Sequence, residues 1–298
     1  MTWPFRLAVL TDEVSQDIEA VIRFCRDYKL EAVELRSVDD QPLYKLTDER
    51  IDALATRLQE AGLTVCGLSS PVFKCELDDD AQIEEHIGIL QRYAELARRF
   101  GCRYVRGFSF WAQGPFDEAL PRIAERLRGI AGMMEAAGLV YALEFDPAVY
   151  ATNGAKVRQL LDAVASPHLR ALYDPGNDLW DPDGEVPYPD GYEHLRGQIC
   201  HIHLKDAVRT ADGVQGVAIG EGEVDYRALL LRLLADGYDG YLVVETHYRL
   251  RSQLTEEQLK RPSGSAFSEG GEEASRECMD SLLRLMESIR PATEQRRL

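Results

Sequence analysis

No apolar run in this 298-residue chain approaches the roughly 18 residues that cross a bilayer. The opening stretch MTWPFRLAVLTDEV turns acidic after a very short apolar segment, which lacks the layout of a signal peptide. Positive charge is scarce: 34 Lys and Arg stand against 51 Asp and Glu, a net charge of −17. Such a chain repels phosphate backbones and anionic lipid, so neither nucleic acid nor membrane is expected as a partner. The six cysteines are scattered and form no CxxC pair, which excludes a zinc ribbon or a thioredoxin-type motif. No glycine-rich phosphate cradle with a following Lys-Ser is present. A cytoplasmic enzyme acting on a small molecule is the expectation that remains.

What the chain does have is alternation. Short apolar runs of strand character at 6–11, 32–36, 64–69, 104–108, 140–145, 170–174, 199–205 and 241–246 are separated by amphipathic helical patterns. The helical patterns lie at 17–28, 48–61, 81–100, 117–137, 154–164, 191–196 and 226–236, and a last one at 272–289 follows the eighth strand. Repeated strand–helix units imply a parallel sheet. Eight of them in about 250 residues predict one α/β domain, a (β/α)8 barrel over 1–298. Glycines at 62, 101, 138 and 237 follow helical patterns, where a left-handed cap is needed. Two long connections, about 176–190 and 247–272, both follow strands. On a barrel that puts them at the rim of the active-site face, as lids.

Four of the later runs end in or carry a metal-capable side chain: VYALEFD with Glu144, RALYDPGN with Asp174, ICHIHLKD with His203 and YLVVETH with Glu245. A buried carboxylate or imidazole is costly unless it is paired or ligates something. Four arriving in series at strand C-termini point to one shared divalent cation. Three oxygens and one nitrogen, with no thiolate, favour Mn2+, with Mg2+, Co2+ and Zn2+ also compatible. His201 and His203 are two apart and face the same side of their strand. Either one ligates while the other sits deeper, or both do; His203, nearer the strand end, is the preferred ligand. Candidate pocket residues are Arg36, Lys74, Arg106, Lys205, Asn177, His201, His247 and Trp111. A salt-bridge or packing role is the ordinary alternative for each. Lys205 and Asp206 are equally well read as holding each other in the loop.

The succession ALEFD, YDPGN, HIHLKD and VVETH, with GEGEVDY at 220–226 and SPVFKC at 70–75, resembles the xylose isomerase-like TIM barrels, the sugar phosphate isomerase/epimerase superfamily. The resemblance covers essentially the whole chain. It implies that Glu144, Asp174, His203 and Glu245 bind one metal ion and that Glu144 and Glu245 are also the proton-transfer pair. In such epimerases one glutamate stands on each face of a carbon beside a metal-bound carbonyl. Two departures are visible. Many members carry histidine where this chain has Asn177, and the nuclease branch uses histidines at the ends of strands three and four, which here read GLSS and RGFSF.

The expected activity is therefore isomerisation or epimerisation of a sugar, keto-sugar or polyol. The same site could instead eliminate water, as in inosose or dehydroshikimate dehydratases. A non-catalytic sugar-binding barrel and an apurinic-site endonuclease are further alternatives, and the −17 charge argues against the last. Members of the superfamily are often dimers or tetramers, so the resemblance leaves a homo-oligomer open.

Overall fold

The computed structural model describes residues 3–260, 262 and 264–289. Eight strands close into a barrel: β1 (Arg6–Leu10), β2 (Ala32–Leu35), β3 (Thr64–Ser69), β4 (Tyr104–Gly107), β5 (Val140–Glu144), β6 (Leu169–Tyr173), β7 (Ile199–Leu204) and β8 (Tyr241–Val244). Each pairs in parallel with its sequence neighbours, and β1 closes on β8 through Ala8 opposite Val243. The outer helices are α1 (Ile18–Tyr28), α2 (Asp48–Glu60), α3 (Asp80–Phe100), α4 (Phe116–Ala137), α5 (Gly154–Val164), α6 (Tyr192–Leu195), α7 (Tyr226–Ala235) and α8 (Gly271–Ser288). Their boundaries fall within a residue or two of those read from the sequence. Gly101 and Gly138 cap α3 and α4 in the left-handed region, at φ 66° and 70°, where a Cβ would be strained.

The period of two along each strand divides the core in two. Outward residues such as Val33, Leu68, Val105, Leu143, Tyr173, Leu204 and Val244 join the helices in one large apolar cluster. Inside the barrel the apolar cluster is small: Ala8, Leu10, Ala32, Cys66 and Val243, with Tyr241 against it. Two residues further along the same inward faces the side chains become ionisable. Ala32 is succeeded by Glu34, Ala142 by Glu144 and Val243 by Glu245, all buried, and on β7 buried His201 is followed by buried His203. The barrel thus delivers charge to the C-terminal ends of its strands, where such barrels carry their active sites.

Several small elements were not foreseen. A short helix, Thr11–Val14, follows β1, and an antiparallel ribbon pairs Asp206–Thr210 with Gly213–Val217 after β7. The long connection after β8 contains helical turns at Glu256–Lys260 and Gly264–Ser268.

Candidate metal centre

Glu144 ends β5, Asp174 and Glu245 lie one residue past β6 and β8, and His203 is on β7. One donor atom from each lies within 4.8 Å of the others, and all four residues are at most 2% exposed. His203 Nδ1 is 3.3 Å from Glu144 Oε1 and 3.5 Å from Glu245 Oε2. Glu144 Oε1, Asp174 Oδ2 and His203 Nδ1 are buried without a hydrogen-bond partner. A buried polar atom left without a hydrogen bond costs about 1–3 kcal/mol; the three lie together, and Asp174 Oδ2 has an ion-pair contact with Lys205 Nζ in place of an aligned bond. Three carboxylates and an imidazole aimed at a common centre fit a divalent cation.

The orientation of His203 has a visible cause. Its Nε2 lies 3.0 Å from Glu34 Oε2, and His201 Nε2 lies 2.6 Å from the same oxygen. With Nε2–H donating to Glu34, Nδ1 is the nitrogen that faces the cluster, where it can offer a lone pair to a cation once its proton has left. The other Glu34 oxygen accepts from Ser69. Gly67 makes this arrangement possible, because a Cβ there would stand 3.2 Å from the Glu34 carboxyl carbon and 3.3 Å from His201 Nε2. Burial works against the charge on Glu34, yet His203 and His201 hold its carboxyl well below the usual range. Burial likewise opposes the His203 imidazolium, but Glu34 and Glu245 outweigh it and raise its pKa.

Cations surround the cluster. Lys205 Nζ is 2.7 Å from Asp174 Oδ2 and 2.8 Å from Glu245 Oε2; only the second contact is aligned as a hydrogen bond. Arg36 donates to Glu245 Oε1 at 2.8 Å, to Glu13 and to Asp12. Arg106 Nη1 lies 3.2 Å from Glu144 Oε2. Burial would raise Glu144, and Arg106 with His203 brings it down. Burial would raise Glu245 as well, but His247, Lys205 and His203 draw it well below the normal carboxylate range. Asp174 goes the other way: burial, with Glu245 and Glu144, prevails over Lys205 and pushes it up to about 8.

The other sequence candidates separate. Lys205 and Arg36 touch the cluster, but Arg36 is tied to three carboxylates rather than free for a ligand. His201 lies behind His203, on Glu34. His247 Nε2 is 3.2 Å from Glu13 Oε1 and 3.4 Å from Glu245 Oε1. Asn177 is turned away, its Nδ2 donating to the Phe145 carbonyl at 2.8 Å. Lys74 pairs with Asp146 Oδ2 at 2.8 Å and donates to the Lys260 carbonyl. Trp111 is buried and bridges to Val149. Lys205 and Asp206 do not hold each other. Asp206 accepts from the backbone N–H groups of Ala207, Gly220, Gly222 and Val224, which explains the GEG turn, since a Cβ at Gly222 would meet Asp206 Oδ1 at 2.1 Å. Glu34, Glu13 and Asp12 carry more of the network than the sequence suggested. Their signal is acid at the end of buried strand one and inside buried strand two.

A cavity of about 520 Å3 opens beside the cluster. The four clustered side chains are not part of its wall, but Arg36 and Arg106 are, and these two arginines stand 2.8 Å from Glu245 and 3.2 Å from Glu144.

Residues 22–263 match the family described as "Xylose isomerase-like TIM barrel". No curated protein sequence matches the chain. Among solved structures, the IolI protein with a bound zinc atom aligns at TM-score 0.73 and 18% identity, over 96% of this chain and 99% of that one. The probable 3-DHS dehydratase AsbF from Bacillus anthracis aligns at 0.66 and 19%, over 89% and 98%. D-psicose 3-epimerase from Clostridium cellulolyticum H10, with D-tagatose, aligns at 0.69 and 14%, over 96% and 100%. At these identities the likeness speaks for the shared barrel.

Proposed function

The chain belongs to the xylose isomerase-like TIM barrel family, and from that premise we propose that it is a divalent-metal-dependent enzyme that isomerises or epimerises a sugar, keto-sugar or polyol. The observation that carries this reading is the convergence of Glu144, Asp174, His203 and Glu245, three of them with buried atoms that no hydrogen bond satisfies. These four side chains would hold the cation, with Mn2+ favoured by the carboxylate majority and Mg2+, Co2+ and Zn2+ also compatible. When bound, it supplies polarisation of the substrate carbonyl, which lowers the cost of negative charge on the neighbouring carbon.

The proton work falls to Glu144 and Glu245. They enter from β5 and β8, three staves apart in an eight-strand barrel, so they flank whatever lies between them. Both are held below the usual carboxylate range and are therefore available as bases at neutral pH. One removes the proton next to the carbonyl; the other returns one on the opposite face, which inverts the centre. Lys205 holds Glu245 by a hydrogen bond, and Arg106, 3.2 Å from Glu144, offsets part of that carboxylate's charge.

A second reading uses the same first step and then eliminates a β-hydroxyl. Asn177, which donates to the Phe145 carbonyl, stands where many members carry a histidine, and that departure keeps this reading open. The test is incubation of Mn2+-loaded protein with a panel of keto-polyols in D2O. Solvent deuterium at the carbon beside the carbonyl, lost by about a hundredfold or more in Glu144→Gln and Glu245→Gln, supports the isomerase. An enone absorbance supports elimination, and no exchange with any panel member removes the proposal.

A further inference from the structure

The cavity beside the cluster has the opposite charge from the rest of the molecule. Acidic residues outnumber basic ones 51 to 34 in the chain, yet the cavity is lined by Arg36, Lys45, Lys74, Arg106 and Lys260 against one acid, Glu85. Arg36 is committed to three carboxylates, and Lys74 is balanced by Asp146. Arg106 is different. It is 6% exposed, its Nε is buried with no partner, and its 3.2 Å approach to Glu144 is not aligned as a hydrogen bond. Lys45 and Lys260 are exposed at the mouth.

Two of these cations share one ring. Lys74 Nζ lies 4.3 Å and Arg106 Cζ 5.0 Å from the centroid of Phe108, itself in the cavity wall. Burial and the nearby Arg106 charge hold Lys74 below its usual range in spite of Asp146; the two cations crowd each other. Lys74 also donates to the Lys260 carbonyl at 2.9 Å, which ties the connection after β8 across this side of the cavity. Asp146 and Glu144 stand behind Lys74 and Arg106, but within the cavity wall Glu85 is the one acid among five cations, so an anion entering the cavity meets net positive charge. A guanidinium with an unmet N–H is suited to an oxyanion.

We propose that the substrate carries an anionic group, a carboxylate or a phosphate, gripped by Lys74, Arg106 and Lys260 while its carbonyl end lies between Glu144 and Glu245. This rests on the isomerase reading of the cluster and names the class of molecule it serves. A local cationic pocket in a protein of net charge −17 selects by short-range contact, since the long-range field repels the same ligand.

Three probes separate the possibilities: D-fructose, D-fructuronate and D-fructose 6-phosphate share a carbonyl end and differ at the far end. Their binding to Mn2+-loaded protein, and to the Glu144→Gln variant in which turnover is blocked, is measured by calorimetry. One anionic probe should bind about tenfold tighter than fructose or better. That advantage should shrink when ionic strength is raised to about 0.5 M, and also in Lys74→Gln and in Lys260→Gln. Lys260 is exposed, so its replacement leaves the fold intact. The preferred anion tells carboxylate from phosphate. Fructose binding as tightly as the anions, an advantage that survives both lysine variants, or no binding of either anion at roughly 20 mM overturns the proposal. Anion preference without deuterium exchange would leave this inference standing and remove the isomerase; exchange on neutral probes without anion preference would do the reverse.

Discussion

Replacing Glu34 by Gln changes one oxygen to an amide nitrogen inside the barrel, where the side chain is buried and meets the metal cluster through His203. Glu34 Oε2 meets two imidazole nitrogens, at 2.6 and 3.0 Å, and the other oxygen accepts from Ser69. A glutamine offers one acceptor oxygen for three donors, so at least one N–H or O–H is left unmet, at a cost of about 1–3 kcal/mol. The larger consequence is for His203. Without a carboxylate at Nε2, its proton is free to move to Nδ1, where Glu144 and Glu245 attract it, and Nδ1–H cannot ligate. Loss of the partner behind a metal-binding histidine typically weakens metal affinity ten- to a hundredfold, about 1.4–2.7 kcal/mol. Mn2+ titration by calorimetry, with a circular-dichroism melt to follow folding, measures both effects. A Glu34→Gln protein that binds Mn2+ within about twofold of the parent would refute the role assigned to Glu34.

Two further outcomes follow from the same network. Asp206→Ala should destabilise the protein by about 3 kcal/mol, because it strands backbone donors of the GEG turn; an unchanged urea midpoint would contradict that. The Asp174 pKa is raised from 3.8 to about 8, so its contribution favours the folded state fully below pH about 4 and is lost as pH rises through about 8. The metal-free protein should therefore lose stability over that window. Mn2+, which needs the carboxylate deprotonated, should raise the melting temperature more at pH 8 than at pH 6, and a gain that is flat or falls with pH would count against the cluster as the binding site.

The barrel was legible because a buried parallel strand leaves a continuous apolar run, and each run here is bounded by an amphipathic helix. The same logic made Glu144, Asp174, His203 and Glu245 visible, since a metal-capable residue at the end of such a run has few cheap explanations. What lay hidden was long-range pairing. Glu34 reads as one acid inside AVEL, and its partners lie more than 160 residues away on β7. Arg36 read equally as a pocket cation or a salt-bridge partner, and the sequence did not show its partners: Asp12 and Glu13 at the end of β1 and Glu245 at the end of β8. The Asp206–Thr210 and Gly213–Val217 ribbon escaped notice because its outer part is solvent-exposed and carries no hydrophobic alternation. Lys205 and Asp206, adjacent in sequence, go separate ways, since Lys205 continues the inward face of His201 and His203 while Asp206 begins the ribbon.

The most direct measurement is the metal content of protein equilibrated with Mn2+ and then desalted. The wild type should retain one ion per chain. The Asp174→Asn/His203→Asn double variant, confirmed folded by its circular-dichroism melt, should retain none. A wild type that holds no metal, or a folded double variant that holds as much as the wild type, would contradict a cation centre built from Glu144, Asp174, His203 and Glu245.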